Sequence, residues 1–212
     1  MQAKRRIFKF AGGILVLFLA RLAQADTLSI SMDFPPVAIS EADGFVDVTG
    51  GEGFTLSSEP GQPRLPQKVV TYALPPDADL STVSVAVDDL EFAELSLDLP
   101  VRPASPRMTS ADSIPFYGVG KTIVAGKDMA VYGVDAEVPA VPVRIETVAQ
   151  MRKWKLVRVV LSSALYNPAQ GALKPIARLA FTVSYGRLKA PQADPLAADA
   201  VMDADALSLV AN

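Results

Sequence analysis

Neither cysteine nor histidine occurs in the 212 residues, and there is a single tryptophan. Without cysteine the chain has no disulfide to staple it, so burial of a core must hold it. Without either residue it also lacks Cys-His and Ser-His-Asp nucleophile pairs, zinc-finger ligands and most transition-metal sites. Catalysis by carboxylates alone is what remains. Asp88, Asp89, Glu91 and Glu94 are expected to crowd one hairpin, but a glycosidase pair must converge across a cleft, and nothing in the pattern makes one. No catalytic, cofactor or metal residue is expected. Basic residues are scarce too: 20 Lys and Arg stand against 23 Asp and Glu. That balance argues against nucleic acid, which wants a basic face.

What is present begins with a leader. Lys4, Arg5, Arg6 and Lys9 form a basic head, and Phe10 to Ala20 is an eleven-residue apolar run. Ala23-Gln24-Ala25 then offers small residues to a signal peptidase, with cleavage expected after Ala25. The run is shorter than the ~20 residues of a bilayer span, and no second run of spanning length follows. Residues 26–212 carry 15 basic and 23 acidic residues, a net charge of −8. They read as an exported, soluble, self-repelling protein, in transit through a periplasm if the cell is Gram-negative.

Periodicity of two dominates. Leu173, Pro175, Ala177, Leu179, Phe181, Val183 and Tyr185 alternate with more polar residues. Pro175 suits an edge or a bulge. Val83 to Val87 and Leu95 to Val101 alternate in the same way. Residues 154–165 are richer in apolar side chains, as a central strand covered on both faces would be. Asn167-Pro168 and Gly171 make a turn, so strand 154–165 is expected to return as strand 173–185. Seventeen prolines discourage long helices. The expected fold is all-β, an antiparallel β-sandwich or partly open barrel over residues 26–186. Residues 101–118, with three prolines and no clean period, read as a long exposed loop. Residues 187–212 read as a linker or short helical tail.

Some motifs fail on inspection. Gly118-Val119-Gly120-Lys121-Thr122 looks like the end of a phosphate-binding loop, but Pro115 stands where its first glycine belongs. Gly51-Glu52-Gly53 lacks the third glycine of a dinucleotide fingerprint. Asp199, Asp203 and Asp205 lack the glycine-centred loop of a calcium hand.

Several segments taken together do resemble a known family. Gly61-Gln62-Pro63-Arg64-Leu65-Pro66, followed by Tyr72-Ala73-Leu74-Pro75, resembles the signature near the start of gingipain-type propeptides. Arg152, the strand Trp154–Leu165, Tyr166-Asn167-Pro168 and Phe181 to Tyr185 are similar to that family's closing pattern. The resemblance spans roughly residues 45–186. It implies a non-catalytic, secreted β-sandwich prodomain that helps a caspase-like cysteine peptidase to fold and keeps it latent. The partner it implies is that cognate peptidase domain, in cis or in trans. The chain holds no peptidase, so it is either a piece of a longer precursor or a propeptide-like domain made alone. A rival reading is a free-standing β-sandwich adhesion module at the cell surface.

Peptidases of this family favour arginine or lysine before the scissile bond. A basic side chain of the prodomain is therefore expected to plug an acidic pocket. By composition the candidates are Arg107, then Arg102, then Lys121. Arg187 and Lys189 follow the last strand and are candidates for a processing cut.

Overall fold

The computed structural model describes residues 25–109, 114–188 and 200–212. In chain order its elements are β1 (Asp26–Asp33), β2 (Ala38–Ala42), β3 (Phe45–Thr49), β4 (Thr55–Leu56), β5 (Pro66–Leu74), β6 (Ala78–Phe92) and β7 (Leu95–Ser96). β8 (Arg107–Thr109), β9 (Ile114–Phe116), β10 (Ile123–Val124), β11 (Lys127–Asp128) and α1 (Met129–Tyr132) follow. β12 (Val143–Met151), β13 (Trp154–Ser162), β14 (Ala164–Asn167), β15 (Ala172–Arg187) and α2 (Ala200–Leu209) complete the set.

Two antiparallel sheets form the body. In one, β15 runs between β1 and β6, and its first residues also pair with β14 and β7. The other has the order β12-β13-β5-β4. Alternation decides which side chains meet between them. Leu179, Phe181 and Val183 of β15 and Val157, Val159 and Leu161 of β13 are all fully buried. Val70, Tyr72 and Leu74 of β5 join them, and Tyr72 meets Phe181 edge-on at 6.2 Å. Each of these large side chains contributes about 1.5–3 kcal/mol by leaving water. The fold is thus an antiparallel all-β sandwich with no closed barrel.

A charged side chain also lies inside the body. Lys155, on the inward side of β13, is 5% exposed and donates to the carbonyl of Ala78 at the start of β6. It ties the two sheets by a hydrogen bond where its neighbours do so by apolar contact.

The turn at residues 167–171 forms as expected, with Asn167 Oδ1 accepting from the amides of Ala169 and Gln170 and Gly171 at φ +62°. The strands it joins differ from the expected pair. β13 pairs with β12 and β5, and only the short β14 returns along β15. Between β13 and β14 the chain changes sheets at Ser163, which is 1% exposed. Its amide donates to Pro66 O at 3.0 Å, and its carbonyl accepts from the Ile176 amide at 2.9 Å. A corner of this kind lets one apolar run serve both layers.

The alternation of β15 also slips. A bulge between Ile176 and Arg178 turns Ile176 inward and leaves Ala177 exposed, whereas the sequence pattern placed Ala177 inside. Beyond the bulge a second, smaller core forms. Val46 and Val48 of β3, Leu65, Val101, Tyr166 and Leu173 are buried there.

Among the described residues no helix is long and apolar enough to cross a membrane. Residues 1–24, which carry most of the expected signal peptide, lie outside the described residues. Ala25 itself is exposed and directly precedes β1.

Candidate functional site

The segment read as a long loop is pinned at its root and folded at its end. Val101 is fully buried in the second core. Arg102 donates its amide to Val46 O at 2.8 Å, and its carbonyl accepts from the Arg64 amide at 2.9 Å. Ala104 and Gln62 bond at 2.8 Å, and the Gly61 amide donates to Ala104 O at 3.0 Å. Only then does the chain leave the surface, as the two-stranded β8–β9 hairpin. The residues between those strands, 110–113, lie outside the described ones. The sequence pattern missed the hairpin because three-residue strands are too short for a period to show.

The signature stretch 61–66 supports this platform. Gly61 has φ +83°, and a Cβ there would lie 3.1 Å from Asp128 Cβ and 3.2 Å from its amide nitrogen. Glycine is thus required by both conformation and space. The Gly61 carbonyl in turn accepts from the Asp128 amide. Arg64 reaches Asp47 of β3 at 2.7 Å, and Arg102 Nε reaches the same carboxylate at 2.8 Å. The Arg102 bond, aided by Arg64, holds the Asp47 carboxyl below its usual range against the opposing effect of burial.

The three candidate plug residues therefore stand in different states. Arg102 is committed to Asp47, stacks on Phe45, and donates to Ala42 O. Lys121 is committed as well: its ammonium lies 2.7 Å from Glu59 and 2.9 Å from Pro60 O, and its side chain is only 18% exposed. That bond, opposed by burial, lowers the Glu59 carboxyl, and Arg107 adds a smaller Coulombic pull. Among the described residues no ion pair holds Arg107 itself. It is exposed at the start of β8, beside a shallow cavity of about 200 Å³ lined by Glu59, Pro60, Phe116, Tyr117 and Gly118.

Apolar side chains of the same hairpin and of the turn that follows it face water. Met108 is 59% exposed, Phe116 43% and Val119 93%. Val119 sits between Gly118 and Gly120, both with positive φ. A turn that displays an apolar side chain so fully, braced by Lys121 behind it, has the shape of a contact surface. Composition did not single out Val119.

The processing candidates lie at the other end of the body. Arg187, the last residue of β15, pairs with Asp26 and with Asp77, and these bonds raise its pKa. Lys189 is outside the described residues. No group of acidic side chains that could hold a metal ion is found among the described residues.

No curated protein sequence matches the chain. Solved structures do. One is the complex of Porphyromonas gingivalis RgpB pro- and mature domains, at a TM-score of 0.62 and 16% identity, covering 87% of this chain and 91% of that one. Another concerns the zymogenic latency of gingipain K from Porphyromonas gingivalis, at a TM-score of 0.56 and 19% identity, covering 80% and 96%. At these identities the likeness establishes the fold. The profile of the Propeptide_C25 family matches residues 28–204. That match spans most of the chain, and on it the protein belongs to the Propeptide_C25 family, the propeptides of gingipain-type cysteine peptidases.

Proposed function

We propose that this protein is an exported prodomain that chaperones the folding of a caspase-like cysteine peptidase and holds it latent. The family match over residues 28–204 carries this reading. The RgpB structure is a complex of pro- and mature domains, which supports the same kind of partner here. The body contributes shape and the platform presents contacts: a rigid scaffold aims a short hairpin at a cleft. Arg107 is the side chain that enters an acidic specificity pocket. It is the exposed one of the three candidates, and among the described residues no ion pair has to break for it to enter the pocket. Met108, Phe116 and Val119 exclude water around it.

The leader ends at Ala25, and the mature chain starts on β1 at Asp26. Residues 26–186 are the inhibitory body and 187–212 its tail. A basic-specific peptidase cuts after Arg187 or Lys189. Mass spectrometry of the exported and processed chain tests both termini.

The decisive experiment measures inhibition of the cognate peptidase domain by residues 26–212. Tight inhibition is expected, and Arg107→Ala should weaken it by about tenfold or more, since a desolvated charge pair is worth at least ~1.4 kcal/mol. Unchanged inhibition by the variant would clear Arg107. No effect of the intact chain on either folding yield or activity would overturn the prodomain reading.

A further inference from the structure

The C-terminal segment returns to the body and binds there. Asp203, in the first turn of α2, accepts from the Trp154 indole Nε1 at 3.0 Å and lies 2.7 Å from the Lys153 ammonium. These bonds, led by Lys153, lower its pKa. Ala206, three residues on, is fully buried. Past the helix, the Ala211 amide donates to Thr71 O at 2.9 Å. The Asn212 carboxamide then makes two bonds to the Ala73 backbone, donating from Nδ2 at 3.0 Å and accepting at Oδ1 at 2.8 Å. A carboxamide carries the same donor and acceptor as a peptide unit, so Asn212 fills the place of a paired strand residue.

Thr71 and Ala73 lie on an edge that no other strand covers among the described residues. β4 pairs with β5 only at Pro66 and Gln67. Beyond them this side of β5 has no partner strand among the described residues, and an uncovered row of amides and carbonyls invites an extended segment. The helix depends on the same contacts. Ten residues are too few for a stable isolated helix in water. Leu207 and Leu209 are 61% and 60% exposed, so packing on one side only cannot hold it.

We propose that the free edge of β5, with the Lys153–Trp154 turn beside it, is a peptide-binding site. Its ligand is the segment Ala200–Asn212 of this chain. It reads a carboxylate with Lys153 and Trp154, a small residue at 206, and an extended end on β5. Taken with the prodomain reading, on which this consequence rests, a cut at Arg187 or Lys189 divides the chain without shedding its C-terminal piece. Release then requires a second step, dissociation from β5.

The test uses the full chain with a specific protease sequence placed between residues 190 and 198. Trp154 is the only tryptophan, so its emission reports the docked indole. After cutting, the two pieces should co-elute at micromolar concentration with emission unchanged. In the cut Asp203→Ala, Asn212→Ala chain the affinity should fall by at least about tenfold, the emission should shift and the pieces should separate. Hydrogen exchange at the Ala73 amide in the uncut variants gives a second readout, faster where Asn212 is lost. Wild-type pieces that separate on cutting, with the emission of the double variant, would overturn the proposal. No peptidase is present, so a negative result here leaves the inhibitory role untouched, and the reverse also holds.

Discussion

β15 and the β8–β9 hairpin are both antiparallel pairings, yet different forces hold them. β15 is sixteen residues long, paired on both sides, and Leu179, Phe181 and Val183 are fully buried. The hairpin strands have three residues each, and Met108 and Phe116 face water. The first keeps its shape by area removed from water. The second keeps its shape by ties at its root: the bonds of Gly61 and Ala104, the Asp47 clamp, and Lys121 on Glu59. Stability and contact chemistry are therefore carried by different residues, and substitutions should separate them.

The sharpest separation is expected at Phe181. It is fully buried against Tyr72, so Phe181→Ala leaves a cavity and should cost about 3–5 kcal/mol in urea unfolding. Inhibition per folded molecule should be unchanged. A variant that lost inhibition while still folded would break the division between body and hairpin.

Gly171 probes the body at a turn. It has φ +62°, and an added Cβ would stand 2.8 Å from the carbonyl oxygen of Leu97. Gly171→Ala should cost about 1–3 kcal/mol through strain and that clash, read as a lowered unfolding midpoint.

This turn was legible in the sequence, and the reason is chemical: Asn, Pro and Gly act on their own backbone. The all-β class was legible for a similar reason, since long strands leave a period of two that survives averaging. What followed the turn was not. Residues 154–165 are apolar in a single run, but Ser163 bends that run from one sheet into the other, and a buried serine carries no pattern of its own. The slip at Ile176 was hidden because Pro175 and Ala177 fit the alternation as well as Ile176 does. At the candidate site, composition placed the cations but not their partners. Asp47 is 55 residues from Arg102, and Glu59 is 62 from Lys121. Only tertiary structure shows that two of the three are occupied. The tail was legible only as a linker or short helix, and its return to β5 rests on a side-chain amide that no periodicity marks.

The Asp47 clamp tests whether the platform root has its own response to pH. Its carboxyl is lowered in the folded state, chiefly by Arg102. A depressed carboxyl contributes stability that is present above the ordinary aspartate value of about 3.9 and lost as pH falls through the folded-state value below it. Asp47→Asn should therefore be less stable than the parent at neutral pH. The gap should close below about pH 4, an effect smaller than that at Gly171. Protection of the Arg102 and Ala104 amides should track it, while the amides of β15 stay protected. Equal loss across both regions would mean that root and body melt as one unit.

Val119 carries the smallest expected change in stability and the cleanest statement about contact. Its side chain is 93% exposed, so Val119→Ser removes almost nothing the fold has buried and should shift stability by less than about 0.5 kcal/mol. Gly118 and Gly120 keep the turn, and Lys121 still braces it on Glu59. An apolar side chain held out this way contributes only when something covers it. Covering a valine removes about 1.5–3 kcal/mol of exposed apolar surface at full burial. Partial burial at an interface predicts a rise of a few-fold to about tenfold in the inhibition constant. The rise should appear in the dissociation rate, because no charge changes and steering is unaltered. A matched Val119→Leu variant should bind as well as the parent or better. If serine and leucine behave alike, this face of the turn stays in water in the complex, and the contact surface is confined to the hairpin and Arg107.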